Sequence, residues 1–261
     1  MPERKYSGLG NKRREMTLKT GDQYLKSLEC LKPEAHVLGE KTNKLEHHGL
    51  VEPSRKAVAF TYGAAHNPES KETLRAVSHL CKDEINRFTH LHQSAEDLVK
   101  KIKMQPYCGA MTGCCFQRCV GLDVANAIYS TAFDCDRKHG TQFHDRFRNY
   151  WTWIQKEDLV VDGAMTDPKG DRGRRPKDQL DPDLFLRVKE RKSGGVVISG
   201  AKLHQTGMPN SHEILIMPTI SMRPGEEPWA ICCAIPIHTP GVRYIYGRQA
   251  SDTRKLERDT V

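Results

Sequence analysis

The hydrophobic pattern of this chain changes its period near residue 160, and that change constrains the fold more than any other feature. Before it, apolar residues recur at helical spacing, as in Tyr24, Leu25 and Leu28. After it, short apolar runs alternate with glycine- and proline-rich turns, as strands do. We therefore predict an α+β fold with segregated halves, a helical domain over 21–158 and an antiparallel β domain over 159–261.

The first half contains the apolar periodicity of several helices. The predicted segments are Asp22–Leu31, one or two helices within Glu69–Lys103, Gly113–Phe133 and His139–Glu157. The second segment carries one apolar stripe, made of Leu74, Val77, Leu80, Cys81, Ile85 and Phe88. Ser94 followed three residues later by Asp97 predicts a helix start, since a serine N-cap with an acid at that spacing satisfies free backbone N–H groups.

The second half contains the alternation and turns of a sheet. In DLFLRVKERKSGGVVISG two strands flank a Ser193-Gly194-Gly195 turn, and Leu184, Leu186 and Val188 share one face. The segments EILIMPTISM, PWAICCAIPI and VRYIYGRQ predict three further short strands. Proline- and glycine-rich turns separate them.

Charge and hydropathy exclude several classes of protein. The first 20 residues are basic, and we expect a disordered leader. A transit peptide is the weaker alternative, because Glu3 and Glu15 interrupt its pattern. The net charge of +8 is spread along the chain and interleaved with acidic residues, which argues against nucleic-acid binding and suits a phosphate-rich ligand such as FAD or coenzyme A. No apolar run approaches the roughly 20 residues that cross a bilayer, so we expect no membrane partner.

The nine cysteines indicate a reducing compartment. Their number is odd, and two adjacent pairs, Cys114-Cys115 and Cys232-Cys233, suit a disulfide scaffold badly. We therefore expect a cytoplasmic protein. Free cysteines are most often small buried hydrophobic residues, which is the default interpretation of each one here.

Cys115 and Cys119, in GCCFQRCVG, are candidate metal ligands. On a helix, residues four apart lie on one face about 6 Å from each other. Two thiolates at that spacing can reach two irons of one cluster, although iron–sulfur clusters normally need four ligands. Spacing alone favours the alternative, two core cysteines on a buried helix.

A polar, glycine-punctuated segment, VDGAMTDPKGDRG, begins at Val161. Such a loop can hold phosphate or flavin through backbone N–H groups and through the cations of Lys169 and Arg172. A charged linker between the two halves is the equally weighted alternative. Further along, His204-Gln205-Thr206 follows a strand end. That triplet could face a ligand, but a self-satisfied turn is the favoured interpretation.

Several motifs together resemble the 4-hydroxybutyryl-CoA dehydratases, a branch of the 4-hydroxyphenylacetate 3-hydroxylase flavoprotein family. The matching runs are INRFTHLHQS, CFQRCVGLD, VDGAMTDPKGDRG, AKLHQTG, NSHE, MPTI and YGRQASDTRK, and the likeness spans about residues 20–257. The paired cysteines are the discriminating motif. Members of the hydroxylase branch carry flavin without a cluster, whereas the dehydratases carry both.

The resemblance implies cofactors and roles for particular residues. Cys115 and Cys119 would be two of the four ligands of a [4Fe–4S] cluster. Thr206 would lie close to the flavin, as a catalytic and cofactor-binding residue. The FAD would be lined by Met165, Thr166, Asp167, Pro168, Lys169, Gly170, Asp171 and Arg172.

The resemblance also implies a fold, a reaction and partners. The fold is that of acyl-CoA dehydrogenases, and we expect this chain to be its N-terminal portion, without the C-terminal helical bundle. The family reaction removes water from 4-hydroxybutyryl-CoA to give crotonyl-CoA, with a related vinylacetyl-CoA isomerase activity. Acyl-CoA is the implied substrate, a separate C-terminal half the implied partner, and a homotetramer the implied assembly. The remaining cluster ligands, a histidine and a cysteine, lie downstream in the family. His212 and Cys232 are not expected to replace them.

Two alternatives remain open. One is a flavin-dependent 4-hydroxyphenylacetate 3-monooxygenase-like oxidoreductase, against which the cysteine pair argues. The other is a non-catalytic remnant that acts in binding or assembly. As a lone chain we expect no dehydratase activity, because part of the site would be absent.

Overall fold

The computed structural model describes residues 18–45 and 48–247. The predicted basic leader lies almost wholly outside the described residues, as does most of YGRQASDTRK. The described helices are α1 (Gly21–Glu29), α2 (Glu52–Ala64), α3 (Lys71–Leu74), α4 (Ala95–Thr112), α5 (Cys119–His139) and α6 (Phe143–Lys156). The described strands are β1 (Glu34–Val37), β2 (Glu40–Thr42), β3 (Arg75–Val77), β4 (Glu84–Asn86), β5 (Val161–Ala164), β6 (Arg187–Lys192), β7 (Gly195–Ser199), β8 (Glu213–Ile216), β9 (Cys233–Pro236) and β10 (Arg243–Tyr246).

Helix α4 begins where its cap predicts. The Ser94 side chain accepts a hydrogen bond from the Asp97 backbone N–H, and Gly113 ends the helix in the left-handed region at φ +66°. Helix α1 is also confirmed, and its cap is reciprocal, because the Thr20 and Gln23 side chains each accept from the other residue's backbone N–H.

The prediction of long helices across Glu69–Lys103 is wrong over most of that range. A four-residue helix, α3, leads instead into the antiparallel hairpin β3–β4. The turn between these strands is set by Ser78, whose Oγ accepts from the backbone N–H of Leu80 and of Cys81, and by Lys82 in the left-handed region at φ +65°. The apolar stripe does not share one face, since Ile85 is buried and Val77 is 65% exposed.

The predicted helix Gly113–Phe133 begins six residues late, at Cys119. Gly113 terminates α4, and Gln117 adopts φ +57°, a conformation that no α-helix continues. Cys115 therefore lies in the loop between α4 and α5, and Cys119 is the first residue of α5. The spacing suggested that the two thiols share one helix face, and this prediction is wrong.

The predicted hairpin around Ser193-Gly194-Gly195 is confirmed as β6–β7, with Lys192 opposite Gly195. The bulge between Val188 and Glu190 shifts its register. The three later strands also form, as β8, β9 and β10. The sequence pattern thus predicts β6 to β10, but not β5 at Val161–Ala164.

The β-strand pairing is mixed rather than antiparallel. Strand β8 pairs in parallel with β5 and antiparallel with β9. Strand β10 pairs in parallel with β1, from the first half of the chain. The sequence pattern predicted a polar loop at β5 and no strand at β1. The two parallel pairings, β5 with β8 and β1 with β10, were therefore not predicted.

Hydrophobic packing continues across residue 158. One buried cluster unites Leu28 and Val58 with Ile214 and Ile237, so both halves contribute to the same core. The domain boundary at 158/159 stays a prediction. No helix in the described ranges is both long enough and apolar enough to cross a membrane.

Helix α5 packs against β5 at unusually close range, through glycines. A Cβ atom at Gly121 would lie 1.9 Å from the Val161 carbonyl oxygen, and one at Gly163 would lie 2.6 Å from Val120 Cγ1. Only glycine permits this approach of backbones. The cysteine end of α5 is thereby held beside the strand that leads into Met165–Arg172.

Candidate functional site

The loop that carries the cysteines, Gly113–Arg118, is anchored by two buried side chains. Phe116 packs edge-on against Phe88, with ring centroids 5.2 Å apart. The Arg118 guanidinium stacks over the rings of Tyr62 and Phe88, at 4.3 and 4.7 Å from their centroids. Because these anchors point inward, the loop presents Cys115 away from the core.

Arg118 also receives polar support. Its Nη1 donates to Thr61 Oγ1 at 2.9 Å, and its Nη2 lies 3.8 Å from Asp158 Oδ1, with both charged side chains buried. Burial raises the pKa of the Asp158 carboxyl, and the Arg118 charge opposes that rise. The FQR residues between the cysteines thus fix the loop, a role that the sequence pattern did not indicate.

Both cysteines line a cavity of about 440 Å³. Burial raises the pKa of the Cys119 thiol, and Cys115 contributes to the rise. The two residues line the same cavity even though they do not share a helix face. The cavity lining is Gln105, Gly109, Gly113, Cys114, Cys115, Phe116 and Cys119.

The described part of the chain does not contain a complete metal site. It holds no group of three or more histidine, cysteine, aspartate or glutamate side chains placed to bind a metal ion. Two thiols on one cavity wall fit one side of an iron–sulfur cluster, but a cluster needs about four ligands. The residues present fit half of that donor set.

His212 has a structural role, as expected. It is buried, its Nδ1 accepts from the Val160 backbone N–H at 3.1 Å, and its Nε2 lies 2.8 Å from Ser27 Oγ. Burial lowers the pKa of this imidazole well below its usual value. Both ring nitrogens are engaged, so His212 is not a substitute ligand.

The triplet His204-Gln205-Thr206 is here called the HQT turn. The loop Met165–Arg172 is fixed to Lys202 and Leu203, which lead into this turn. Lys202 Nζ donates to the Met165 and Met217 carbonyls, each at 2.9 Å, and forms an ion pair with Asp167 at 2.5 Å. The Leu203 backbone N–H donates to the Thr166 carbonyl at 2.8 Å. Two motifs separated by about 35 residues therefore form one surface.

Gln179 orders the second half of the same loop. Its Oε1 accepts from the Asp171 backbone N–H at 3.0 Å, and its Nε2 donates to the Asp171 carbonyl at 2.9 Å. Gly170 adopts φ +53° and lies against this side chain, since a Cβ there would approach Gln179 Oε1 to 2.6 Å. The clamp leaves Lys169 and Arg172 exposed, where their cations can meet an anionic ligand.

The HQT turn also touches the cysteine loop. A Cβ built on Gly207 would lie 3.2 Å from Gln117 Cβ and 2.8 Å from Asp162 Oδ1. Thr206, the residue before Gly207, is exposed, and His204 adopts φ +60°. Left-handed non-glycine residues are uncommon and cluster at functional sites. Gln117 and His204 are two of them, one in each adjoining motif.

Asp162 is the residue of this region that the sequence did not single out. It is 3% exposed, and its Oδ2 has no hydrogen-bond partner among the described residues. Burial raises its pKa to about 7, and a hydrogen bond from the Gly163 N–H only partly opposes this. The sequence signal that could have identified Asp162 is a carboxyl within the apolar run VVDGA. Such a run forms a buried strand, and a buried carboxyl is unusual.

Unpartnered polar atoms lie around the junction of these motifs. Within the described ranges, Gln205 Oε1 and the Tyr244 hydroxyl are also buried without a hydrogen-bond partner. Burial, and then the charge of Asp162, raises the pKa of Tyr244. Unpaired buried groups of this kind suit a polar ligand, and the exposed Lys169 and Arg172 suit its phosphates.

Comparisons with known proteins identify relatives over most of the chain. The profile described as 4-hydroxyphenylacetate 3-hydroxylase N terminal matches residues 20–260. A curated relative, the 4-hydroxybutyryl-CoA dehydratase/vinylacetyl-CoA-Δ-isomerase of Clostridium aminobutyricum, is 49% identical over 240 residues, which cover 92% of this chain and 49% of the relative. The 4-hydroxyphenylacetate 3-monooxygenase oxygenase component of Thermus thermophilus is 25% identical over 232 residues, covering 87% of this chain and 46% of the relative.

Solved structures agree with these relationships. An oxygen-tolerant archaeal 4-hydroxybutyryl-CoA dehydratase from N. maritimus superposes with a TM-score of 0.86 at 47% identity, over 89% of this chain and 46% of that one. A 4-hydroxyphenylacetate 3-monooxygenase oxygenase component complexed with FAD gives a TM-score of 0.69 at 22% identity, over 87% of this chain and 46% of that one. This chain spans about half the length of the relatives it matches.

Proposed function

This chain belongs to the 4-hydroxyphenylacetate 3-hydroxylase family, and from that membership we propose that it carries the cysteine and flavin part of a 4-hydroxybutyryl-CoA dehydratase/vinylacetyl-CoA isomerase site. The family follows from the profile match over residues 20–260. The observation that carries the proposal is the junction of three motifs: Cys115 and Cys119 share a cavity, and the HQT turn adjoins both their loop and Met165–Arg172.

The flavin part consists of Met165–Arg172 and the HQT turn. Lys169 and Arg172 would pair with phosphate oxygens, and the backbone of the loop, held by Lys202 and Gln179, would present N–H groups to them. FAD, when bound, supplies one-electron chemistry that amino-acid side chains lack. Thr206 is exposed at the turn, where its hydroxyl can donate a hydrogen bond to the bound ring.

The cysteine part consists of Cys115 and Cys119. Their thiols would bind two irons of a [4Fe–4S] cluster, and the buried anchors Phe116 and Arg118 would hold both at a fixed separation. Both side chains would hold the cluster as thiolates, and burial opposes the loss of the Cys119 proton that this requires. The other two ligands would come from a partner segment, supplied by a separate chain in the proposed assembly.

The substrate and the assembly are part of the same proposal. The β-hydrogen of 4-hydroxybutyryl-CoA is unactivated, so an ordinary general base cannot remove it at its usual pKa. Turnover would therefore need both cofactors, with the ligands and site residues that the described part of the chain does not contain. A homotetramer of the completed protein and a cytoplasmic location complete the proposal.

The monooxygenase alternative is weaker on two observations. Identity to the oxygenase components is 24–27%, against 49% for the dehydratase. A flavin monooxygenase also has no use for a second thiol in the Cys115 cavity. A binding or assembly role would follow if the chain held neither cofactor.

Anaerobic purification with iron, sulfide and flavin analysis tests the proposal. Without a partner, the chain should hold FAD but no iron. With a partner chain that supplies the remaining ligands, it should hold FAD, iron and sulfide. Flavin without iron in both preparations would favour the monooxygenase. Neither cofactor in either preparation would favour the non-catalytic remnant, and a full cluster in the lone chain would refute the half-site.

A further inference from the structure

Asp162 occupies the point where the HQT turn and the cysteine loop meet. Its Oδ1 lies against Gly207, where a Cβ would approach it to 2.8 Å, and Gln117 of the cysteine loop lies on the same side of Gly207. The carboxyl thus takes the space that any larger residue at 207 would need. A Cβ at 207 would force the Asp162 carboxyl to shift. The backbone conformation does not itself demand glycine, because a φ of −77° is open to every residue type.

The surroundings of Asp162 favour its neutral form. The Oδ2 atom is buried without a partner in the described part of the chain. Gly207 and Gln117 are neutral, and the charge of Asp162 contributes to the raised pKa of Tyr244 on β10. The described contacts of Asp162 include no lysine, arginine or histidine that would stabilise a carboxylate.

The strand that bears Asp162 is itself rigidly placed. Gly121 brings α5 against the Val161 backbone, and Gly163 lies against the Val120 and Val124 side chains, so the backbone on both sides of Asp162 is packed closely on α5. Three residues later the same strand becomes the Met165–Arg172 loop. A change at Asp162 therefore acts on all three motifs at once.

We propose that Asp162 is a positioning residue of the flavin site: its buried carboxyl sets the spacing between the HQT turn and the cysteine loop. The inference rests on the proposed flavin function, because the turn it positions carries Thr206. The proposed role needs no contact between Asp162 and the ligand. Asp162 acts through the contact with Gly207.

Two readouts test the inference, flavin affinity and hydrogen exchange. FAD is titrated into the whole chain by fluorescence quenching for wild type, Asp162→Asn and Asp162→Ala, at pH 6 and pH 8.5. Asp134→Asn, an exposed acid on α5, is the matched control. Hydrogen exchange follows the backbone N–H groups of Met208 and Asn210, which donate to Gln205 and Gly207 in the turn.

Wild-type Asp162 should ionise between pH 6 and pH 8.5, because its pKa is about 7, and wild type should then bind FAD more weakly at pH 8.5. Asparagine preserves the shape and a donor but does not ionise, so Asp162→Asn should bind FAD as wild type does at pH 6 and should show no such weakening at pH 8.5. Asp162→Ala should bind FAD on the order of tenfold more weakly and exchange faster at Met208 and Asn210. Equal affinity and equal exchange in wild type and Asp162→Ala would overturn the inference. So would a pH dependence that Asp162→Asn retains in full.

A steric pair keeps the test independent of folding. With Asp162 present, Gly207→Ala should weaken FAD binding and speed hydrogen exchange. In the Asp162→Ala background the clashing carboxyl is absent, so Gly207→Ala should change both quantities less. Additive effects of the two substitutions would contradict the contact. If wild type binds no FAD, the proposed function fails, and the exchange data still decide whether Asp162 positions the turn.

Discussion

Replacing Asp162 with asparagine should stabilise the protein at high pH and leave its stability nearly unchanged at low pH. Asp162 is 3% exposed, and burial raises its pKa from 3.8 to about 7. At about 1.4 kcal/mol for each pH unit, that rise corresponds to a penalty of about 4 kcal/mol once both folded and unfolded states are ionised. Asparagine has a similar size and carries no charge, so it avoids the penalty.

The direction follows from proton binding in the two states. Below pH 4 both states keep the proton and no penalty exists. Between pH 4 and pH 7 the unfolded chain ionises while folded Asp162 keeps its proton, so the free energy of unfolding falls as pH rises. Above pH 7 the penalty is constant. Titration of other buried acids, such as Asp158, is shared by both proteins and cancels in their difference.

Urea unfolding at pH 5 and pH 8 measures the effect. The stability of Asp162→Asn relative to wild type should increase by about 1–3 kcal/mol between these two pH values, the upper figure being the full linkage value. The Asp134→Asn control should change by less than about 0.5 kcal/mol. A relative stability that is the same at both pH values would refute the reasoning, because it would mean that Asp162 ionises as easily in the fold as in the unfolded chain.

Three other substitutions test the packing and the loops. Gly121→Ala would place a Cβ 1.9 Å from the Val161 carbonyl oxygen, and should lower the free energy of unfolding in urea by more than about 3 kcal/mol. The control Gly63→Ala in α2, whose Cβ would meet no atom within 4 Å, should be neutral or stabilise by up to about 1 kcal/mol. Equal costs of the two substitutions would contradict the close approach of α5 to β5. Arg118→Met would remove the Arg118 charge from buried Asp158, which would keep only the weaker influence of Lys19 and His66, and should cost about 3 kcal/mol at pH 8; an unchanged urea midpoint would refute the anchoring role. Lys202→Met would free Met165 and Asp167 and should weaken FAD binding on the order of tenfold, whereas Lys192→Met in the exposed β6 strand should not; equal affinities would contradict the loop assignment.

Local signals predicted the elements that local chemistry determines. The Ser94 cap and the Ser193-Gly194 turn each satisfy or redirect backbone within a few residues, so α4 and β6–β7 could be placed from sequence. The helix predicted from Glu69 ends at Leu74, because the apolar stripe that follows is also compatible with the hairpin β3–β4. The deciding residue, left-handed Lys82, carries no sequence mark of that conformation.

The candidate site was predicted as motifs and not as an arrangement. The cysteine pair, Met165–Arg172 and the HQT turn were each identified, but their contacts depend on packing between distant segments. Asp162 reaches Gly207 across 45 residues, and β10 reaches β1 across more than 200. Periodicity does not report such pairings, and the glycines that allow them resemble ordinary turn glycines.

The central claim is that Cys115 and Cys119 form half of a cluster site beside a flavin. Iron and sulfide are measured anaerobically after the chain is mixed with the C-terminal half of a related dehydratase, and crotonyl-CoA formation is followed in the same samples. Cys115→Ser and Cys119→Ser should each abolish cluster formation and activity, whereas Cys114→Ser, in the same cavity, should retain both. Iron content and activity that survive either of the first two substitutions, or that are lost equally with the third, would contradict the claim.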